Sequence, residues 1–128
     1  MDQPPIKPTE AELEVLQVLW QLGSATVRDV HEALSRTKDS VYTTTLKIMQ
    51  KMHEKGLVER DEHNRTHVYR ATVPEEEMQQ QLLHKFIDAT FRGSAMKLVM
   101  QALGNQAATP DELEKVQQLL EQLRRSRK

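Results

Sequence analysis

Residues Asp39–Arg60 read DSVYTTTLKIMQKMHEKGLVER, and the fold turns on how this stretch is taken. Val41, Thr45 (by its methyl), Ile48, Met49 and Met52 fall at the spacing of one buried helical stripe, which predicts an amphipathic helix starting at Asp39 or Ser40. Lys55-Gly56 closes it, and a strand-like Leu57-Val58 follows. The opposite face carries Thr43, Thr44, Lys47, Gln50 and Lys51. Short hydroxyls near the start and long cations further along suit a DNA major groove, where they reach base edges and phosphates. Taken alone, such a face is more often a solvated helix surface. Its neighbours decide.

Upstream, Thr9-Glu10-Ala11-Glu12 is a capping box, with Leu13, Leu16, Val18, Leu19, Trp20 and Leu22 as an apolar face and Gly23 as the stop. Thr26 caps a second helix with Asp29 three residues on, and its inner stripe is Val27, Val30, His31 and Leu34. Residues 1–8 hold three prolines and are expected as an extended arm. Downstream of Gly56 the period changes. Leu57 to Arg60 and Thr66 to Thr72 are β-capable runs joined by the polar turn Asp61-Glu62-His63-Asn64-Arg65. Three helices and a hairpin predict a winged helix, with Lys47 and Lys51 facing the groove and Arg65 in the wing turn meeting a phosphate. Tyr69 is expected to pack inward or to contact sugar-phosphate rather than to read a base.

Pro74 and three following glutamates open another helix, with Leu82, Leu83, Phe86, Ile87 and Phe91 on its apolar face and Gly93 at its end. Ser94 to Leu103 reads as a short helix rich in Met96, Leu98, Val99 and Met100. Thr109-Pro110-Asp111-Glu112 opens the last one, in which Leu113, Val116, Leu120 and Leu123 repeat at a and d spacing. A unit of roughly 50 residues buries too little surface to stand alone. These wide apolar faces therefore predict a partner, most simply a second copy, rather than docking on the winged helix of the same chain. The expected class is mainly α with a small β-hairpin. A winged helix-turn-helix domain spans residues 1–73, and a three-helix dimerisation domain spans residues 74–128. The dimer contacts are assigned to Leu82, Phe86, Phe91, Leu98, Leu113, Val116, Leu120 and Leu123.

Composition limits the alternatives. The 128 residues carry a formal charge of −1, but it is unevenly spread. Residues 1–35 have two Lys/Arg against six Asp/Glu, for −4; residues 36–70 have eight against five, for +3; residues 71–128 have eight of each. Local basicity governs phosphate contact more than the total does. The chain has no cysteine, which removes disulfides and thiolate metal sites and fits a reducing cytoplasm. No apolar run is long enough for a membrane span, and MDQPPIKPTE lacks the regions of a signal peptide. His63 and His67 flank the hairpin turn without a third ligand nearby, and His31 lies on an apolar face, so neither a metal nor another cofactor is expected. No nucleophile with a base, phosphate loop or paired-carboxylate pocket is present, which argues against an enzyme.

At this point the chain resembles the BlaI/MecI/CopY family of transcriptional repressors, the penicillinase repressors. The resemblance runs through PTEAELEVLQVLWQLGSATVRDVHEAL, YTTTLKIMQKMHEKGLVER, RTHVYRATV, FRGSAMKLVMQAL and TPDELEKVQQLL. Tyr42-Thr43-Thr44 and Lys55-Gly56-Leu57 are its most diagnostic pieces. It implies a homodimeric winged-helix repressor on a palindromic double-stranded operator, with recognition positions at Thr43, Thr44, Lys47 and Lys51. The chain departs from the family at Lys47, often threonine there, and at Lys51, commonly arginine. Lysine lacks arginine's planar two-pronged contact, so the operator sequence does not carry over. The resemblance also implies a route of derepression in which a membrane-bound sensor protease triggers cleavage of the dimerisation domain, commonly at an Asn-Phe bond. The matching step here is Gln101-Ala102. The copper-responsive branch uses a cysteine cluster that this chain lacks. A winged helix used for protein contact is the alternative, opposed by the +3 charge of residues 36–70 and the Thr/Lys face.

Overall fold

The structure, a computed structural model, describes residues 7–63, 65–105 and 108–127. The expected proline arm lies outside these residues apart from Lys7 and Pro8. Helix α1 spans Glu10–Leu22, α2 Val27–Ser35 and α3 Tyr42–Lys55; strands β1 (Val58–Asp61) and β2 (Val68–Ala71) follow, then α4 (Glu75–Phe91), α5 (Ala95–Gly104) and α6 (Pro110–Ser126). Three helix starts are written locally. Thr9 accepts the Glu12 N–H at 3.1 Å while Glu12 accepts the Thr9 N–H at 2.9 Å, and Thr26/Asp29 and Thr109/Glu112 repeat the reciprocal pair.

The start of α3 differs from expectation. The helix begins at Tyr42, not at Asp39 or Ser40, and Val41 is its N-cap with no side-chain cap bond. The Ser40 hydroxyl lies 3.4 Å from Thr45 Oγ1 instead of serving a free backbone N–H. Val41, extended at φ −98° and ψ 136°, precedes the helical period and is 64% exposed, so it does not belong to the buried stripe. Thr45, Met49 and Met52 are buried as read, with Ile48 half-buried. At the other end Gly56 takes the left-handed conformation (φ 85°, ψ 11°), and the Leu57 N–H donates to Met52 O at 2.9 Å.

That turn delivers Leu57 and Val58 to the core, both 2% exposed. The antiparallel ladder pairs Val58 with Ala71, Glu59 with Arg70, Arg60 with Tyr69 and Asp61 with Val68. The expected runs, Leu57 to Arg60 and Thr66 to Thr72, therefore lose their ends and gain Asp61. The α1–α2 link joins the hairpin as well, since Ala25 and Tyr69 exchange both backbone hydrogen bonds, at 2.9 and 2.8 Å. Val15, Leu16, Leu19, Val30, Met49, Met52 and Tyr69 form the centre of the core. Val15 was absent from the sequence stripe and is fully buried, whereas Leu22, included in it, is 55% exposed at the helix end. The Trp20 indole N–H donates to Val73 O at 2.9 Å, tying the chain after β2 to α1.

The chain divides into two compact units, Met1–Leu82 and Leu83–Lys128. Pro74 marks the start of α4, but Met78 is 2% exposed within the winged-helix core and Leu82 packs against it, so the first two turns of α4 belong to the first unit. In the second unit, Ser94 accepts the Lys97 N–H at 3.1 Å to start α5, and the Phe86 and Phe91 rings meet edge to face at 5.8 Å. No residue of α5 or α6 is buried among those described. No described helix is long and apolar enough to cross a membrane.

Candidate nucleic-acid interface

Helix α3 is held by its inner face and leaves its outer face free. Thr45, Met49 and Met52 anchor it, and half-buried Leu46 packs against the same core. The Thr45 hydroxyl adds a polar tie, lying 3.3 Å from His31 Nδ1, while Tyr42 sets its ring against His31 edge to face at 5.6 Å. His31 is thus half-buried and hydrogen-bonded within the helix pair, not a lone ligand. Opposite these anchors, Thr43, Thr44, Lys47, Gln50 and Lys51 are all exposed. Thr43, Lys47 and Lys51 follow one another at four-residue spacing along the crest. Glu54, also exposed, lies on the same side one turn later, so the cationic part of the crest ends at Lys51.

Each flank of the crest is hollow. On one side a groove of about 560 Å³ runs between α3, the start of α2 and the wing, lined by Arg28, Tyr42, Gln50, Arg65 and His67 among others. On the other side a hollow of about 450 Å³ is lined by Glu14, Lys38, Val41, Thr44 and Ile48. Gln50 and Arg65 thus share one groove, while Thr44 turns towards the other. Arg28 was not singled out from sequence, although its place two residues after the Thr26 cap puts it on the first exposed turn of α2.

Ion pairing sorts the cations of this unit. Lys38 pairs with Glu14 (2.9 Å), Lys55 with Glu12 (2.8 Å), Arg60 with Glu62 (2.6 Å) and Arg70 with Glu59 across the ladder. Lys47, Lys51, Arg65 and Arg28 form no ion pair among the described residues. Among the described residues, the α3 crest and its wing-side groove thus hold unpaired cations, as do Lys7 and Arg36 elsewhere in the unit.

The Glu12–Lys55 pair is structural. Glu12 is 3% exposed and takes both oxygens to Lys55 Nζ, at 3.0 and 2.8 Å, as well as the Thr9 N–H. Burial pushes its pKa up, but the Lys55 hydrogen bonds and charge and the Thr9 contacts outweigh burial and hold the carboxyl below its ordinary value. Glu12 was read from sequence as a cap alone. Its second role, locking the start of α1 to the end of α3, joins residues 43 positions apart and has no local signal. His63 and His67 stand in and after the wing turn, and no group of three His, Cys, Asp or Glu able to hold a metal occurs among the described residues.

Three helices, a hairpin bridged to the α1–α2 link, and an exposed helix with unpaired cations define a winged helix-turn-helix protein of the DNA-binding class. The penicillinase repressor family model matches residues 8–122, and the chain belongs to that family, whose members are transcriptional repressors and not enzymes. Over 120 residues it is 25% identical to the penicillinase repressor of Bacillus licheniformis, covering 94% of each chain. The solution structure of the DNA-binding domain of the repressor BlaI aligns with a TM-score of 0.51 at 27% identity, over 60% of this chain and 93% of that one. Wild-type MarR from E. coli, at 18% identity, a TM-score of 0.52 and coverage of 91% and 77%, shares the fold.

Proposed function

We propose that the chain represses transcription in the cytoplasm by binding a palindromic operator in double-stranded DNA as a homodimer. The observation that carries this is the α3 crest, where Thr43, Lys47 and Lys51 stand exposed, the lysines in no ion pair among the described residues, on a helix fixed by its opposite face. Thr43, Thr44 and Lys47 read base edges in the major groove, Lys51 reaches bases or phosphate, and Arg65 holds a phosphate from the wing. Relatives named as repressors, one of them a DNA-binding domain of matching fold, support the same role.

Dimerisation is assigned to the second unit. Phe86 (51% exposed), Leu113 (44%), Leu120 (53%) and Leu123 (39%) lie open, beside half-buried Phe91, Leu98 and Val116. A second copy covers these residues, a surface that a monomer would otherwise leave to water. Leu82 serves partly in the first unit, where it packs on the core. Derepression follows from cleavage near Gln101-Ala102, triggered by a sensor protease. Both residues are exposed, but they lie inside α5, so cleavage requires the helix to open locally.

Binding of duplex DNA, followed by fluorescence anisotropy across salt concentrations, tests the DNA role. Log affinity should fall against log salt with a slope of about −0.9 per phosphate neutralised. A flat response overturns DNA binding and leaves a protein-contact winged helix. On operator fragments selected from the source genome, Lys47→Ala should weaken specific binding more than nonspecific binding; equal losses make Lys47 a phosphate contact. Sedimentation at micromolar concentration should give a dimer, and a clean monomer removes the second unit's assigned role.

A further inference from the structure

Arg60 lines two hollows that differ in charge. It lines the groove beside α3, in which Arg28 and Arg65 are the other charged residues and no acidic side chain takes part. It also lines a hollow of about 690 Å³ along the wing, where Glu59, Asp61 and Glu62 gather with Arg70. The ladder explains this position. Arg60 is directly opposite Tyr69 and two residues after Val58, so it occupies the inward face of the wing at its rim, its guanidinium 6.0 Å from the centre of the Tyr69 ring.

In this position its guanidinium is only partly used. Arg60 Nη2 donates to Glu62 Oε1 at 2.6 Å, with the side chains 21% and 56% exposed. Its Nε–H is buried and finds no hydrogen-bond partner among the described residues. A guanidinium carries donors arranged in a fork that matches phosphate oxygens two at a time. Glu62 occupies one prong with an exposed carboxylate, a pairing worth little in water.

We propose that Glu62 is an internal stand-in for a DNA phosphate: it holds Arg60 in the free protein and yields it to the backbone when the α3 groove receives DNA. This rests on the DNA-binding function proposed above and adds two residues to it. Arg60 joins Arg65 as a second wing cation on the backbone, and Glu62 sets the cost of recruiting it. The contact positions the protein and carries no base information. Affinity for any sequence is thereby held down, while contacts from the α3 crest are left unchanged.

A double-mutant cycle on mixed-sequence duplex DNA tests this. Glu62→Gln should raise affinity about twofold to fivefold, the range of an exposed ion pair. In an Arg60→Gln background the same change should gain clearly less, because the released partner is gone. Arg60→Gln alone should reduce the salt slope by about 0.9, and Arg60→Lys, which keeps a point charge, should restore it. Equal gains from Glu62→Gln in both backgrounds overturn the proposal, since Glu62 would then act only as a negative charge near DNA. Should Arg60→Gln unfold, the wild-type Arg60 Nε–H nuclear magnetic resonance signal decides: it should shift as duplex is added, and a fixed signal overturns the proposal. A wild-type chain that fails to bind the duplex at low salt sinks the DNA-binding function itself, whereas binding with equal gains sinks this inference alone.

Discussion

Removing the Lys55 charge by Lys55→Met should cost the first unit far more than any other ion-pair deletion in it. Glu12 is left with its side chain 4% exposed and only the Thr9 contacts to hold its charge. Deleting one partner of a fully buried pair costs about 3–5 kcal/mol, and Lys55 is one-third exposed, so water recovers part of this. The expected loss is about 2–3 kcal/mol, consistent with hydrogen bonds to a charged group. Lys38→Met, which breaks a pair exposed by 49% and 41%, should cost about 0–1 kcal/mol. The single tryptophan, Trp20, lies in this unit with its indole N–H bonded, so its fluorescence in urea follows the relevant unfolding. A drop in midpoint of roughly 1–2 M urea is expected for Lys55→Met. Its pH dependence has a fixed sign. The folded Glu12 carboxyl lies below its ordinary value, so its contribution is fully present above the unfolded glutamate pKa of about 4.3 and is lost as pH falls through the lower folded value. Wild type and Lys55→Met should therefore converge in acid. Equal costs for the two lysines, or a difference that stays constant from neutral pH into acid, would refute the buried-pair account.

Two further substitutions probe the ends of α3. Val41 is an exposed N-cap with extended dihedrals and no cap bond, so Val41→Ser should stabilise the first unit by about 0.5–2 kcal/mol in the same urea assay; no gain would mean the free N–H groups are already served. Gly56 has open space around a would-be Cβ but φ +85°, so Gly56→Ala should cost about 1–2 kcal/mol from backbone strain alone, with Gly56→Asn costing less; equal losses would point to a packing role instead.

What could be read in advance was whatever a few consecutive residues encode. Thr9, Thr26 and Thr109 each announce a helix start because both halves of the capping box lie within three residues. The period change after Gly56 gave the wing. The misreadings come from tertiary competition. Ser40 looks like a cap but lies against Thr45, and Val41 matches the stripe but precedes the helix. The exposed face of α3 was legible, because exposure follows from amphipathic spacing. The groove beside it was not, because Arg28 comes from α2, Gln50 from α3, and Arg60 and Arg65 from the wing region. The side of the hairpin that Arg60 occupies depends on a strand register that sequence alone leaves open.

If the α3 cations meet phosphate as proposed, the ion pairs predict a first unit whose DNA affinity responds to salt while its fold does not. The eight Lys/Arg of residues 36–70 fall into two populations. Lys38, Lys55, Arg60 and Arg70 are matched by carboxylates at contact distance, and the Glu12 end of one pair is removed from solvent. Arg36, Lys47, Lys51 and Arg65 are exposed and form no ion pair among the described residues, and in the proposed function the last three would meet DNA through water. Ions at physiological strength screen such exposed charges beyond about 8 Å but reach a buried pair far less. Added salt therefore weakens phosphate contact and also relieves repulsion among the free cations, while the Glu12–Lys55 tie and the apolar core keep α3 in place. Pairing Lys38, Lys55 and Arg70 while sparing the α3 crest would make ionic strength act on DNA affinity, with little effect on the shape presented to the DNA.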